Sequence, residues 1–201
     1  MTISRKKSPA VLRSLVTLAL TVTLAACDVE DQYNSPYACS FIFYTSYHTT
    51  SGLSLVTTSN PGFFVWTYVK ESSSGLNTVY VYRNDGSEDD PVSLTTAIEA
   101  RLSYDNMGAN GQLIIGCTTL NGLRAYDRQC PYCLDNYGGY SYPLTWTDDG
   151  ASVECDKCGR VYSLNSEGIC TSGGDSSYRL LQYRVYTSTG YGGASVLCVT
   201  N

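Results

Sequence analysis

Cys130-Pro131-Tyr132-Cys133 and Cys155-Asp156-Lys157-Cys158-Gly159 are the segments on which the reading of this chain turns. Each holds a CxxC turn, and twenty-one residues separate Cys133 from Cys155. A CxxC turn can aim two sulfurs at one point, and two such turns supply four thiolates to one tetrahedral ion. Gly159, directly after the second pair, suits a tight knuckle in which backbone N–H groups approach the sulfurs. Zinc is the expected ion at Cys130, Cys133, Cys155 and Cys158. It has no d-electron preference that opposes tetrahedral sulfur, and it does no redox chemistry. Two other readings stay open: an all-cysteine iron–sulfur cluster that transfers electrons, and disulfides formed in an oxidising compartment. Cys130-Pro131-Tyr132-Cys133 also has the form of a glutaredoxin redox motif. That chemistry needs the first thiol at a helix N-terminus. Leu134-Asp135-Asn136-Tyr137-Gly138-Gly139 reads as helix-breaking, so thiol exchange is not expected.

Around these turns the chain reads as short strands. Aromatic and β-branched runs recur at Cys39–Ser46, Gly62–Val69, Asn77–Arg83, Gly111–Cys117, Gly122–Asp127, Arg160–Leu164, Tyr178–Tyr186 and Ala194–Val199. Gly, Asn, Asp and Ser punctuate them. Asn121-Gly122 between two apolar runs predicts a type I′ hairpin turn, which needs positive φ at both central residues. Leu181, Tyr183 and Val185 alternate with Gln182 and Arg184, which predicts one buried and one wet face. Thr95–Leu102 is the one helix candidate. Many short strands with turns every eight to twelve residues argue an all-β domain of sandwich or barrel type. The eighteen tyrosines fit strand propensity, with a carbohydrate-stacking surface as the alternative use.

The residues from Ala125 to Pro131, and from Cys155 through Arg160-Val161-Tyr162-Ser163-Leu164 to Gly168, resemble the Rieske iron–sulfur domain. The chain is most similar to Rieske-like bacterial lipoproteins whose loops carry CPxC and CxxCG. The resemblance covers about residues 111–199. It implies a Rieske-like β-sandwich in which two loops, about residues 128–168, form a four-cysteine metal-binding subdomain. It carries Cys130, Cys133, Cys155 and Cys158 over as metal ligands by position. The departures concern chemistry. Tyr132 stands where the family's first loop has histidine, Cys158 stands at the second loop's histidine, and His48 is the only histidine in the chain. A two-histidine Rieske centre cannot form here, and any bound iron–sulfur cluster would be all-thiolate with a much lower potential.

The N-terminus reads as an address. Arg5-Lys6-Lys7 and Arg13 precede twelve uncharged, mostly apolar residues, Leu15–Ala26, too short for an ordinary membrane span. Leu24-Ala25-Ala26-Cys27 resembles the lipobox of bacterial lipoproteins. The resemblance implies cleavage after residue 26, acylation of Cys27, and attachment to the inner or outer membrane, facing the periplasm or the cell surface. Residues 27–38 read as the lipidated cysteine and an acidic tether, and residues 39–201 as the domain. Removing residues 1–26 takes away four of the thirteen basic residues and none of the eighteen acids. A chain that acidic is a poor partner for nucleic acid. Cys39, Cys117, Cys170 and Cys198 form an even remainder that permits two disulfides, with buried free thiols as the alternative. His48 reads as an incidental loop residue. One histidine excludes three-histidine zinc, HExxH and two-histidine iron sites, and no Ser/His/Asp set or phosphate loop is present. The residues therefore point to a non-enzymatic role, with a protein or glycan partner left unidentified.

Overall fold

A computed structural model describes residues 33, 35–139, 141–147 and 149–201. The signal segment, Cys27 and most of the tether lie outside the described residues. Residues 33–201 form one compact unit. The described end of the tether belongs to that unit. Ser35 is buried and donates to the Tyr183 hydroxyl oxygen at 3.1 Å, and Asn201 Nδ2 donates to the carbonyls of Ser35 and Tyr37. The body thus begins before residue 39. Polar composition suggested a free tether, and specific hydrogen bonds to the last residue of the chain override that.

The fold is all-β and antiparallel. Eight strands form the larger sheet in the order β1 (Ser40–Phe43), β12 (Ser195–Thr200), β11 (Gln182–Thr189), β6 (Gly122–Asp127), β5 (Gln112–Thr118), β2 (Phe64–Glu71), β3 (Asn77–Arg83), β4 (Val92–Ser93). Four shorter strands form a second sheet in the order β10 (Cys170–Ser172), β9 (Val161–Ser163), β8 (Ser152–Cys155), β7 (Leu144–Trp146). The larger sheet curls. Phe41 and Phe43 on β1 share one core with Val79 and Val81 on β3, near the opposite edge, together with Leu113, Ile115, Ala125, Leu197 and Val199. The connection between β4 and β5 straps the gap. Asn77 Nδ2 donates to the Leu102 carbonyl, Tyr104 Oη to the Ile42 carbonyl and the Ser40 N–H to the Asn106 carbonyl.

The other face of β2, β5 and β6 carries Phe64, Ile114 and Tyr126 into a second core. That core is completed by Leu144, Val153, Tyr162, Leu164 and Leu180 around the small sheet. This layer explains a departure from the alternation read in β11. Gln182 is 5% exposed instead of wet, because both faces of the sheet are covered there. The β5–β6 turn also differs. Gly122 has φ +68° and pairs with Thr118, while Asn121 has no positive φ, so a three-residue loop with a left-handed glycine replaces the type I′ turn. The helix candidate at Thr95–Leu102 shrinks to a single 3-10 turn, Glu99–Arg101. Gly116 on β5 is required by packing. A Cβ there would fall within the Phe64 ring and against the Phe63 carbonyl oxygen. Gly116→Ala is expected to cost about 1–3 kcal/mol through overpacking, read as a lower urea midpoint at an unchanged slope.

Candidate metal centre

The approach to the first cysteine turn is fixed by a buried carboxylate. Asp127 ends β6 with no solvent exposure. It accepts from the Ala109 N–H at 2.7 Å, the Gln129 N–H at 2.9 Å and the Tyr183 hydroxyl at 2.8 Å. Gln129 Oε1 accepts from the Tyr142 N–H at 2.5 Å, and the Cys130 N–H donates to the Tyr142 carbonyl at 2.9 Å. Cys130 is then the N-cap of a helix, α2 (Pro131–Tyr137), with a four-residue α1 (Gly52–Leu55) earlier in the chain. The helix overturns the expectation of irregular chain after Cys133. Pro131 sits at the first helical position, where its missing N–H costs nothing, and Gly138 at φ +75° closes the helix. Burial of Pro131 and Cys133 supplies the tertiary packing that a two-turn helix needs.

The second turn joins β8 to β9. The Cys155 N–H donates to the Arg160 carbonyl at 3.0 Å, and the Gly159 N–H to the Cys155 carbonyl at 2.8 Å. Gly159 has φ +67°, the left-handed geometry expected of a knuckle glycine.

The four sulfurs of Cys130, Cys133, Cys155 and Cys158 lie within 4.8 Å of one another. The short separations run between the turns: Cys130 to Cys158 is 3.7 Å and Cys133 to Cys155 is 3.6 Å. A tetrahedron with metal–sulfur bonds of about 2.3 Å has edges of about 3.8 Å. Cys130, Cys133 and Cys155 are buried, and Cys158 is half-buried at the rim. Burial pushes the Cys130 thiol up to about 12, against hydrogen bonds from Tyr162 and the Cys133 backbone that act to lower it. Burial likewise raises Cys133. At Cys158 burial also acts to raise, but hydrogen bonds from the Arg160 backbone and guanidinium outweigh it and hold that thiol below its ordinary value. Uncharged thiols are thus favoured at Cys130 and Cys133 without an ion, and a divalent cation is the group that would offset the burial of thiolates there. The same burial argues against thiol exchange. A helix N-terminus is present, yet Cys130 lies inside the second core with its thiol raised, opposite to what a redox nucleophile needs.

The remaining calls fall out as follows. Cys39, Cys117, Cys170 and Cys198 are buried with free thiols. Cys39, Cys170 and Cys198 lie in three different clusters. Cys39, Cys117 and Cys170 point their sulfurs at the carbonyls of Val199, Thr118 and Ser172. His48 is no incidental surface residue. Its Nε2 lies 2.7 Å from Oε1 of Glu99, which is fully buried and also accepts from Thr96 N–H and Oγ1. No local pattern could have paired residues fifty-one positions apart. Part of the tyrosine excess forms a stack on the face of β2 and β3 away from the first core. Trp66 lies on Tyr82 at 3.9 Å and Tyr68 on Tyr80 at 4.8 Å. Arg128 caps Trp66 at 3.6 Å, and Lys70 lies 5.3 Å from both Tyr68 and Tyr80. These ring faces are engaged by one another and by cations.

No family model matches the chain, and no curated protein matches it. A solved structure provisionally described as a nitrite reductase NADPH (small subunit) oxidoreductase protein is similar over 45% of this chain and 76% of its own, at 17% identity and a TM-score of 0.27. That likeness is too slight to bear on a cofactor or an activity.

Proposed function

We propose that this chain is an exported lipoprotein, anchored in the bacterial cell envelope by acyl groups on Cys27. Its Rieske-like body holds one structural, non-catalytic zinc ion at Cys130, Cys133, Cys155 and Cys158. The observation that supports the zinc reading is that the four sulfurs lie within 4.8 Å of one another, with 3.6 and 3.7 Å across the two turns. The two short separations are close to the edge of a tetrahedron of thiolates about a single ion. The two short pairs would also suit two thiolates on each iron of a two-iron cluster; what favours a single ion is that all four sulfurs lie within 4.8 Å of one another. Zinc here ties α2 to the β8–β9 turn, both of which wall the second core. The acylation reading rests on Leu24-Ala25-Ala26-Cys27 alone. The exposed role that follows is binding or structural, on the periplasmic or outer surface.

The test uses the full chain expressed with its own leader and purified from membranes. Elemental analysis is expected to find one zinc per chain with no visible absorption bands. Iron with broad visible absorption would instead support electron transfer. Neither metal, with all four turn cysteines resistant to alkylation until reduced, would support bridging by disulfides. Intact mass reads acylation of Cys27 separately.

A further inference from the structure

Three of the four turn cysteines are sealed from solvent, and the fourth is not. Cys130 and Cys133 have no exposure and Cys155 has 1%, whereas Cys158 is half-buried at the rim. The side chain against that rim is Arg160, two residues further on. Its backbone is pinned, with its carbonyl accepting from the Cys155 N–H at 3.0 Å. Its guanidinium reaches across to the other turn. Arg160 Cζ lies 3.3 Å from the centre of the Tyr132 ring, and Tyr132 stands between Cys130 and Cys133 in the first turn of α2. Tyr178 backs this contact. Its ring centre is 5.7 Å from the same Cζ, and it meets Tyr132 edge-on at 5.2 Å. Asn136 on α2 donates to the Tyr178 hydroxyl oxygen at 3.4 Å. The loop after β10 closes on the same residues. A Cβ at Gly173 would strike the Gly159 carbonyl and Arg160 Cα, and one at Gly174 would strike the guanidinium itself. Glycine at both positions lets that backbone lie against Arg160.

Four thiolates around one divalent ion leave two negative charges. Arg160 is the cation whose side chain donates to one of those sulfurs, that of Cys158. Groups that hydrogen-bond a metal's ligands orient them and hold them on the ion, and a charged donor does so most strongly. A planar guanidinium can lie on an aromatic ring and still present N–H groups at its edge, which an ammonium cannot. Arg160 therefore ties the second turn to the first without using the metal, and it does so beside the ligand that solvent reaches. We infer that Arg160 is a positioning residue of the metal centre: it holds and covers Cys158, so that metal exchange begins at Cys158, at a rate set by the Arg160–Tyr132 contact. This inference rests on the reading of the four cysteines as a zinc site.

The experiment uses the membrane-purified full chain, with zinc content measured first. A chromogenic zinc chelator in excess reads the rate of metal loss. Short pulses of iodoacetamide during that loss, mapped by mass spectrometry, read which cysteine opens first. Arg160→Gln is expected to retain one zinc as purified and to lose it roughly 10–100-fold faster than the parent. Arg160→Lys keeps the charge but not the planar stack, and its rate should stay nearer that of the glutamine variant. Tyr132→Leu should also speed the loss, while Tyr132→Phe, which keeps the ring, should match the parent. Should Arg160→Gln fail to accumulate, the two Tyr132 variants carry the same test. In the parent and in each variant Cys158 should be alkylated before the other three turn cysteines. Release from Arg160→Gln at the parent rate would overturn the inference. So would first alkylation at Cys130, Cys133 or Cys155, or alkylation of all four together, which is the pattern of general unfolding. A parent chain without zinc would remove the zinc reading and this inference together. A parent with one zinc, and an Arg160→Gln variant that releases it no faster, would remove the inference alone.

Discussion

Cys155→Ser is expected to release the metal and to lower the midpoint of thermal unfolding by roughly 10–20 °C. Cys155 is 1% exposed, and its sulfur is 3.6 Å from Cys133 across the two turns. A serine hydroxyl stays protonated where a thiolate would bind, so three ligands remain and the ion's charge is less well matched. The turns then lose the constraint that joins them, and the second core loses its cap. Metal content and differential scanning calorimetry on the same preparation check this. Cys198→Ser is the control. It changes a thiol buried in the smallest hydrophobic cluster, with no metal to lose, and should cost about 1–2 kcal/mol. A Cys155→Ser protein that keeps its zinc and its midpoint would end the metal reading.

Asp127→Ala is expected to be the other severe change, at about 3–4 kcal/mol in urea unfolding. It would leave the Ala109 and Gln129 N–H groups and the Tyr183 hydroxyl without their acceptor, with Gln129 and Tyr183 fully buried and Ala109 half-buried. The loss should spread to the first cysteine turn, since Gln129 positions Tyr142 and, through it, Cys130. A faster loss of metal to a chelator would report that spread. The carboxylate also predicts a pH dependence. Burial raises its pKa, against hydrogen bonds from Ala109, Tyr183 and Gln129 that act to lower it. A raised folded-state value means that the folded protein holds this proton more tightly than the unfolded chain does. Its contribution to stability is therefore fully present below the ordinary value of 3.8 and is lost as pH rises through the folded-state value. Asp127→Asn keeps an acceptor for Gln129 but cannot titrate. It should be less damaging than alanine and flatten the stability profile from about pH 4 upward. An unchanged profile in the asparagine variant would assign that slope to another group.

The long strands and the ligand set could be read in advance because their causes are local. β3 and β6 fall on the runs read from Asn77–Arg83 and Gly122–Asp127, where side-chain alternation and bounding turn residues set the limits. β7, β8 and β10 are three or four residues long, too short for alternation to register, and pairing within the small sheet makes them strands. α2 escaped notice because Asp, Asn and Gly near Cys133 argue against a helix, while the packing that stabilises it comes from residues distant in sequence. The Asp127–Tyr183 and His48–Glu99 contacts join residues 56 and 51 positions apart, and nothing in either neighbourhood announces its partner.

Composition alone settled which donors exist. One histidine rules out any site built on several imidazoles, and two CxxC turns offer four thiolates, whatever the fold, because ligand chemistry is carried by the side chain itself. Tertiary structure decided where those donors go. It set each sulfur nearest to one from the other turn, covered the second face of β6 and β11 with a small sheet, and laid the Arg160 guanidinium on the Tyr132 ring. Such proximities depend on how strands pair across the whole chain, and pairing is a property of backbone hydrogen bonds and shared burial that no single segment contains.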